Sequence, residues 1–393
     1  MTEYYQKLLI VEVIALKITM GDCVACGACV SVCPCKSITI EKDENGFYMP
    51  VIDAATCVEC GICQQSCPVN DRSEGISWEL GTYYALWAKD GQQRFAGSSG
   101  GAFGLLADEV LAQGGVVFGA AYSDDMKFVY QTSTDDVELN KLKKSKYVES
   151  YTGDVFTKVK AALETGRKVL YCGTSCQIDG LKKYLKKDYN NLLTCDFLCH
   201  GVPAAGVYEK YINNLEERYG KPTSVDFRSK AYGWKAYCSK VTFASGKVYL
   251  KTRFQDPYLR MFFENNVLRE ACYSCKRLNT SNADITLGDF WRVADMDIPD
   301  TNEGISLVGV HTQAGKNAIA QLVENSDCYA KELPQTAYTY AYNRKTSKPD
   351  DRDAELEKIV KQKNLFKLSV SLETKLRGYV YWIRSIVQKV LMK

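Results

Sequence analysis

The chain is short of histidine and of net charge. Only two of its 393 residues are histidine, so histidine chemistry is limited to His200 and His311. Its 50 Lys and Arg residues are nearly balanced by 47 Asp and Glu residues, which leaves a formal net charge of +3. A protein that binds the phosphate backbone is expected to be far more basic, so the composition gives no case for nucleic acid.

Long apolar runs are also missing. No run approaches the roughly 18 apolar residues needed to span a bilayer. The stretch Leu8–Leu16 resembles the hydrophobic region of a signal peptide, but Glu12 interrupts it, no Ala-x-Ala site follows and no twin arginine occurs. We expect Leu8–Leu16 to be a short strand or helix. With 46% hydrophobic and 25% charged residues, the composition is that of an ordinary soluble globular protein.

Cysteine, in contrast, is abundant, with 17 residues. The run C-x₂-C-x₂-C-x₃-C-P occurs twice, from Cys23 to Pro34 and from Cys57 to Pro68. In bacterial ferredoxins with this spacing, three thiolates of one run bind one [4Fe–4S] cluster and the fourth binds the other cluster. The predicted ligands are Cys23, Cys26, Cys29 and Cys67 for the first cluster, and Cys57, Cys60, Cys63 and Cys33 for the second.

Paired zinc knuckles and a disulfide framework are the alternatives for this region. Zinc sites rarely use four cysteines in one run, and a duplicated run that ends in Cys-Pro is more specific for iron–sulfur clusters. Gly27 and Gly61 occupy the same position in both runs and are expected to relieve steric crowding. Cys35 lies outside the pattern. Because the ligand thiolates must stay reduced, we expect a cytoplasmic protein.

The length predicts two or three domains. Residues 1–72 are interpreted as the dicluster domain with a short N-terminal extension, and the polar segment Asp71–Gly75 as the junction. Beyond it, the sequence predicts strands at Tyr83–Ala88, Val116–Tyr122, Lys168–Cys172 and Leu192–Leu198, and helices at Val155–Leu163 and Gln177–Leu185. Their alternation favours parallel βαβ units. A hairpin is predicted at Tyr237–Thr252, so the sheet is expected to be mixed or to have an antiparallel addition. The predicted fold class is α+β or α/β, a small ferredoxin-like domain followed by a mixed α/β domain. That domain is divided into residues 79–153 and 154–330, and residues 331–393 form a basic tail.

Four later cysteines form a third candidate metal site. Cys176 and Cys199 each follow a predicted strand, so parallel pairing would place both at the carboxyl edge of the sheet, where α/β proteins bind ligands. Cys272 and Cys275 add two thiols at chelating spacing. We favour a third [4Fe–4S] cluster. A Cys₄ zinc site, a redox-active dithiol and buried free cysteines are the alternatives.

Two polar segments are candidates for phosphate binding. The turn Gly97–Gly101 precedes a predicted helix, whose backbone N–H groups and positive end favour anions. A structural turn with a serine N-cap is the alternative. The basic run Lys143–Tyr147 is either a phosphate contact or a solvated charge run.

Three further side chains are candidates near a cofactor. His200 follows Cys199 and is interpreted as a proton or hydrogen-bond donor, or else as a loop cap. Asp289 and Trp291 follow another short strand, and the indole either stacks on a planar cofactor or belongs to the core. His311 is expected to be structural.

Seven segments together resemble the coenzyme F420 hydrogenase/dehydrogenase beta-subunit family, in the family's order and across roughly residues 20 to 312. They are Gly97–Gly101, Lys144–Val148, Gly173–Gln177, Cys199–Pro203, Phe227–Trp234, Cys272–Cys275 and Asp284–Trp291. One departure is Ser175, where the family usually has proline, so the turn is less constrained.

The resemblance implies a flavoprotein that binds FAD beside a [4Fe–4S] cluster and exchanges electrons with a hydride acceptor or donor, a deazaflavin in archaeal members. The implied cofactor-binding residues are Ser98, Ser99, Gly100, Gly101, Lys144, Lys146, Tyr147, Thr174, Gln177, His200, Gly201, Asp289 and Trp291, with His200 also the catalytic candidate. We expect an oxidoreductase with ferredoxin or a partner oxidoreductase as redox partner. A non-catalytic electron-transfer subunit, or a flavin-free iron–sulfur scaffold or sensor, is the alternative.

The C-terminal tail has its own pattern. Residues 354–393 hold nine Lys or Arg and three Glu. Apolar residues follow helical spacing there. They are Leu376, Tyr379, Val380, Ile383, Ile386, Val387, Val390 and Leu391. Such a helix contacts an anionic membrane or a partner subunit, or more commonly docks its apolar stripe on its own domain.

Overall fold

The computed structural model describes residues 22–70, 75–135, 138–291, 298, 302–325, 327–339 and 346–368, together with residues 376, 378–383, 386 and 387. Leu8–Leu16, most of the predicted junction Asp71–Gly75, and Val390 and Leu391 therefore lie outside the described residues.

The strands are β1 (Ile38–Lys42), β2 (Tyr48–Ile52), β3 (Ile76–Ser77), β4 (Thr82–Ala88), β5 (Val116–Tyr122), β6 (Val129–Thr134), β7 (Ser150–Tyr151), β8 (Val169–Cys172), β9 (Leu192–Phe197), β10 (Pro222–Ser229), β11 (Cys238–Phe243), β12 (Val248–Thr252), β13 (Thr280–Ser281), β14 (Ile285–Asp289), β15 (Ser306–Val310) and β16 (Cys328–Leu333). The α-helices are α1 (Ala28–Val32), α2 (Ile62–Gln65), α3 (Gly91–Ala96), α4 (Ala102–Ala112), α5 (Leu139–Leu142), α6 (Val155–Glu164), α7 (Ser175–Leu185), α8 (Ala205–Tyr219), α9 (Pro257–Phe263), α10 (Glu270–Tyr273), α11 (Gln313–Glu324) and α12 (Arg352–Lys361). Short 3₁₀ turns lie at Trp78–Leu80, Gln335–Tyr338 and Leu365–Lys367.

The two cysteine runs have the same backbone shape. In each run a left-handed residue precedes the second cysteine and a left-handed glycine follows it, at Ala25 (φ 50°) and Gly27 (φ 81°) and at Glu59 (φ 52°) and Gly61 (φ 70°). A Cβ at Gly27 would lie 2.8 Å from Thr152 Cβ, whereas one at Gly61 would meet nothing within 4 Å. The expected relief of crowding therefore applies to Gly27, while at Gly61 the positive φ is the reason for glycine.

A nine-stranded sheet forms the centre of the molecule, in the order β16-β4-β15-β14-β9-β8-β5-β6-β7. The strands β14, β9, β8 and β5 are parallel neighbours, and antiparallel pairs extend the sheet on both sides. Apolar side chains of α4 and α11 pack on one face, and those of α6 and α7 on the other. Because both faces of the parallel strands are covered, β5 and β8 are almost continuously apolar. The mixed α/β class is confirmed.

The hairpin predicted at Tyr237–Thr252 is present as β11 and β12, but it does not extend the main sheet. It pairs with β10 in a separate three-stranded sheet. The aromatic side chains Tyr208, Tyr211 and Phe227 fill the space between this sheet and α8. Burying large rings there supplies enough apolar contact for a second, smaller core.

The cysteine-rich region packs directly on the larger domain. Gly206 N donates to Gly46 O at 2.9 Å, and a Cβ added at Gly206 would lie 2.9 Å from Gly46 Cα. Nearby, Arg269 donates to Cys23 O at 3.2 Å and to Tyr48 O at 2.7 Å, and it pairs with the buried Glu149. The close backbone approach and the buried ion pair hold the two parts together.

Because Gly206 lies so close to Gly46, replacing it with alanine is expected to destabilise the protein, opposite to the usual effect of alanine in a helix. An alanine usually stabilises a helix relative to glycine, but Gly206→Ala is expected to lower the free energy of unfolding by about 1–3 kcal/mol because the backbone must shift. The matched control is Gly91→Ala at the start of α3, where a Cβ meets nothing within 4 Å. Urea unfolding followed by circular dichroism under anaerobic conditions measures both. A Gly206→Ala protein as stable as the Gly91→Ala protein contradicts the close packing.

Candidate functional site

A cavity of about 710 Å³ opens beyond the carboxyl ends of β8, β9 and β14. Of the thirteen predicted cofactor-binding residues, all but Gly100 lie in its wall. Gly100 is packed behind the wall, where a Cβ would lie 2.2 Å from Leu86 O. The predicted residues come from segments that are distant in sequence, and the sheet brings them to one edge, as is general for α/β proteins.

The glycine-rich turn lies at the start of α4, and no serine caps this helix. The N-cap is Gly101 (φ 93°), and no side chain caps the helix, so the serine N-cap of the structural alternative is wrong. Ser99 Oγ instead donates to Ile305 O at 2.6 Å, and Ser98 Oγ accepts from Ser145 N at 2.8 Å. The serines therefore hold the turn in place, and the first backbone N–H groups of α4 remain at the cavity side.

The basic run does not form a solvated surface. Lys144 and Lys146 both line the cavity, and Lys144 Nζ pairs with Asp226 Oδ2 at 2.6 Å. Lys146 Nζ donates to Lys143 O at 2.7 Å, and burial lowers the pKa of Lys146 to about 7. A lysine with this pKa changes its charge near neutral pH and gains from an anionic neighbour.

Asp289 is already bound by protein groups. Both its carboxylate oxygens accept from Arg228, at 2.7 and 2.8 Å, and Oδ1 also accepts from Trp234 Nε1 at 2.9 Å. Trp291 stacks on Trp234 with ring centroids 4.4 Å apart, while Arg228 lies over the ring of Tyr237 at 4.3 Å. Asp289 thus orients Arg228 in the cavity wall.

Thr174 and Gln177 also have structural roles visible in the wall. Thr174 is the N-cap of α7 and forms a capping box with Gln177, so the helix begins at Ser175 rather than at the predicted Gln177.

His200 Nε2 lies 2.8 Å from Asn265 Oδ1, and Asn265 Nδ2 donates to Ser347 O. Because Nδ2 is used as a donor, Oδ1 accepts the proton on His200 Nε2, which defines the tautomer.

The sequence-based assignment missed several wall residues. They include Arg228, Lys235, Tyr237, Arg253 and Tyr381. Arg228 belongs to the segment Phe227–Trp234 that contributed to the family resemblance, so that segment was the available signal. Tyr381 belongs to the C-terminal tail, and no local pattern connects it with the cavity.

The thiols of the first predicted cluster lie close together. Burial and the neighbouring thiols Cys29, Cys67 and Cys23 raise the pKa of Cys26. Cys33, Cys57, Cys60 and Cys63, the second predicted set, line a separate small cavity with Cys35. Each predicted set is therefore gathered in the described structure, although its members come from both runs.

The third candidate site is also gathered. Burial, together with Cys275 and Cys272, raises the pKa of Cys176 to about 12. The pKa of Cys199 is raised by burial and then by Cys272, Cys176 and Cys275. Val202 N donates to Cys272 Sγ at 3.3 Å. Across the described ranges no three His, Cys, Asp or Glu side chains are drawn tightly enough around one point to hold a single metal ion.

Four thiols are the donor set that [4Fe–4S] clusters use, so the three sets fit such groups. Thiols with raised pKa values must lose their protons to bind metal. The attraction between the thiolates and the metal ions supplies the free energy that this deprotonation costs.

The sites follow one another across the molecule. Cys26 Sγ would lie 2.8 Å from a Cβ added at Gly180 on α7. Cys176 is on the same helix four residues earlier, about 6 Å along its axis. Cys199, from the third site, lies in the wall of the large cavity. The first set is therefore next to the third set, and the third set is next to the cavity.

The paired thiol sets and their spacing define an iron–sulfur protein, and comparison with known families agrees. Residues 22–70 and 49–100 match two descriptions of a 4Fe-4S dicluster domain. Residues 166–336, less than half of the chain, match the family described as the C terminus of the coenzyme F420 hydrogenase/dehydrogenase beta subunit. The resemblance seen in the sequence is confirmed, and the chain combines an iron–sulfur region with a region similar to a subunit of oxidoreductases.

No curated protein matches the chain. One similar solved chain comes from a structure described as "Xenon derivatization of the F420-reducing [NiFe] hydrogenase complex from Methanosarcina barkeri". It is 17% identical in sequence, the match covers 73% of this chain and 94% of that chain, and the TM-score is 0.48. A likeness of this degree carries no functional argument. Within the described residues, no helix has the length and hydropathy to cross a membrane.

The pairing of Asp289 with Arg228 predicts a large effect of neutralising Asp289. Their side chains are only 14% and 5% exposed, so Asp289→Asn leaves a buried guanidinium without its counter-charge. We expect a loss of about 3–5 kcal/mol in the free energy of unfolding. The control, Glu164→Gln, removes an exposed pair with Lys160 and is expected to change stability by less than about 0.5 kcal/mol. Chemical unfolding of both variants measures the difference, and equal effects contradict the buried pairing.

Proposed function

We propose that the chain is an iron–sulfur flavoprotein oxidoreductase. It passes electrons between its [4Fe–4S] clusters and FAD, and on to or from a two-electron acceptor such as a deazaflavin or another small molecule. The observation that carries this proposal is the position of Cys199, which belongs to a four-thiol set and also lies in the wall of the large cavity. A cluster held by Cys199 and its three partner cysteines would lie beside a molecule bound in the cavity, where it could exchange electrons with that molecule.

The residues proposed to hold the clusters are the twelve cysteines in their three sets. Cys23, Cys26, Cys29 and Cys67 hold the first cluster, Cys57, Cys60, Cys63 and Cys33 the second, and Cys176, Cys199, Cys272 and Cys275 the third. Backbone N–H groups support individual sulfurs, as Ala25 N does for Cys23 at 3.4 Å and Ser37 N for Cys33 at 3.3 Å. Such hydrogen bonds favour the charged thiolate and tune the reduction potential.

The cavity suits a dinucleotide with a planar ring. Its volume is within the range of cofactor sites. Lys144, Lys146 and Arg228 supply positive charge near the N-terminus of α4, which favours a pyrophosphate. When bound, FAD supplies exchange between one-electron and two-electron chemistry. His200 lies in the cavity wall with its Nε2 proton held by Asn265, and it is proposed to orient the reacting ring or, as an imidazolium, to protonate it.

A non-catalytic electron-transfer subunit is the second candidate. It is favoured by the family description, in which the matched region is part of a beta subunit. The two candidates differ in a simple assay: the purified chain alone reduces a soluble two-electron acceptor if it is the enzyme, and does so only with a partner if it is a relay. A flavin-free scaffold or sensor would lack the yellow flavin absorbance after anaerobic preparation.

Iron content tests the third thiol set. We expect about twelve irons and one FAD per anaerobically purified chain, from three four-iron clusters. Cys272→Ala is expected to lower the iron by about four and leave the first two clusters in place. Cys35→Ala removes a cysteine outside all three sets and serves as the matched control, with unchanged iron. About eight irons in the unaltered protein, unaffected by Cys272→Ala, would falsify the third cluster.

The lowered pKa of Lys146 predicts how flavin binding depends on pH. A phosphate beside Lys146 raises its pKa from about 7, so FAD binding takes up a proton above that pH. Affinity is therefore expected to fall as pH rises above about 7, by at most about tenfold per pH unit.

Flavin fluorescence on titration of FAD into flavin-depleted, cluster-containing protein measures this dependence between pH 6 and 9. Lys146→Met is expected to bind FAD more weakly at pH 6 and with a flatter pH profile. Lys160→Met alters an exposed lysine and is expected to keep the original profile. If Lys146→Met retains the full pH slope, another group binds the proton.

A further inference from the structure

The C-terminal tail docks on the domain through an unexpected face. Gly378 is buried, and a Cβ there would lie 3.2 Å from Phe254 Cβ. Tyr381 Oη donates to Lys235 O at 2.9 Å, and its ring meets Phe254 edge to face at 5.2 Å. The expectation that the apolar stripe docks on its own domain is therefore wrong for the described residues: Gly378 and Tyr381 make the contact.

The apolar stripe faces outward instead. Its six described members are between 36% and 58% exposed. They are Leu376, Tyr379, Val380, Ile383, Ile386 and Val387, and we call them the tail stripe. Their spacing of three and four residues places them along one side of a helix. Six large apolar side chains exposed side by side differ from isolated surface residues and indicate a binding surface.

The charges around the tail stripe identify its partner. From Thr374 to the end of the sequence there are five basic residues and no acidic one. They are Lys375, Arg377, Arg384, Lys389 and Lys393. An apolar helical face in a segment whose charges are all basic is the pattern of helices that lie in the headgroup region of anionic membranes.

We propose that the tail stripe binds the surface of an anionic lipid bilayer and attaches the protein to it peripherally. The apolar side chains enter the acyl boundary, the basic residues of the segment meet lipid phosphates, and Tyr379 and Trp382 lie at the depth that aromatic residues prefer. A second copy of the chain is a poorer occupant because two segments that carry only basic charges would repel each other. Since Tyr381 lines the large cavity from the opposite face of the same helix, attachment brings the cavity close to the membrane.

Sedimentation with vesicles tests the proposal on the full-length, cluster-containing protein. Vesicles of equal parts phosphatidylglycerol and phosphatidylcholine are expected to bind the protein at low salt, whereas pure phosphatidylcholine binds it at least tenfold more weakly. Ile383→Glu is expected to reduce binding to the anionic vesicles at least tenfold. Val323→Glu, at an exposed apolar position of α11, is the matched control and is expected to bind within twofold of the unaltered protein.

The basic residues of the segment are tested in the same assay. Arg377→Gln and Arg384→Gln are each expected to weaken binding about fivefold, and raised salt to weaken it further. The proposal is overturned if anionic vesicles do not bind the protein, or if Ile383→Glu and Val323→Glu bind equally. Gel filtration completes the test: a dimer that Ile383→Glu converts to monomer assigns the stripe to a second copy and also overturns it. Retained iron absorbance in each variant shows that the fold is intact.

Discussion

The placement of helix α7 is the constraint on which the arrangement of sites depends. Its first turn carries Cys176 at the carboxyl edge of the sheet, and the capping box of Thr174 and Gln177 sets where the helix begins. One turn later Gly180 is so close to Cys26 that a larger residue would displace the cysteine-rich region. A single rigid helix thus defines the distance between the first and third thiol sets, because a helix advances by a constant rise per residue.

A buried ion pair strengthens the same junction. Arg269 reaches the carbonyl oxygens of Cys23 and Tyr48, and its partner Glu149 accepts from Tyr48 N at 3.0 Å. Buried charges cost free energy unless they are paired and hydrogen-bonded, and Arg269 is paired with Glu149 and donates to two backbone oxygens. These contacts fix the orientation of the interface, since they can all form in only one arrangement of the two parts. The proposed order of electron carriers requires that kind of precision.

Much of the fold was predictable because its signals are local. The bounds of β5 match the predicted strand, and those of β4, β8, β9 and α6 differ from it by one residue at an end. The cavity wall was less predictable. The sequence could not decide whether Lys144 and Lys146 line a cofactor site or belong to a solvated charge run. Arg228 and Tyr381 were missed, because the residues that line a cavity depend on how segments far apart in the chain pack together. The serine cap was wrong for a related reason: Ser98 and Ser99 bond to partners far along the chain, Ser145 and Ile305.

By itself, the amino-acid sequence determined the two cluster motifs, the order of strands and helices, and the amphipathic period of the tail, because each is set by spacing over a few residues. Tertiary structure alone decided three other features. It brought Cys176, Cys199, Cys272 and Cys275 together, it enclosed the cavity beside Cys199, and it turned the tail stripe outward. Those outcomes depend on strand pairing and packing between segments far apart in the chain, which no local pattern encodes.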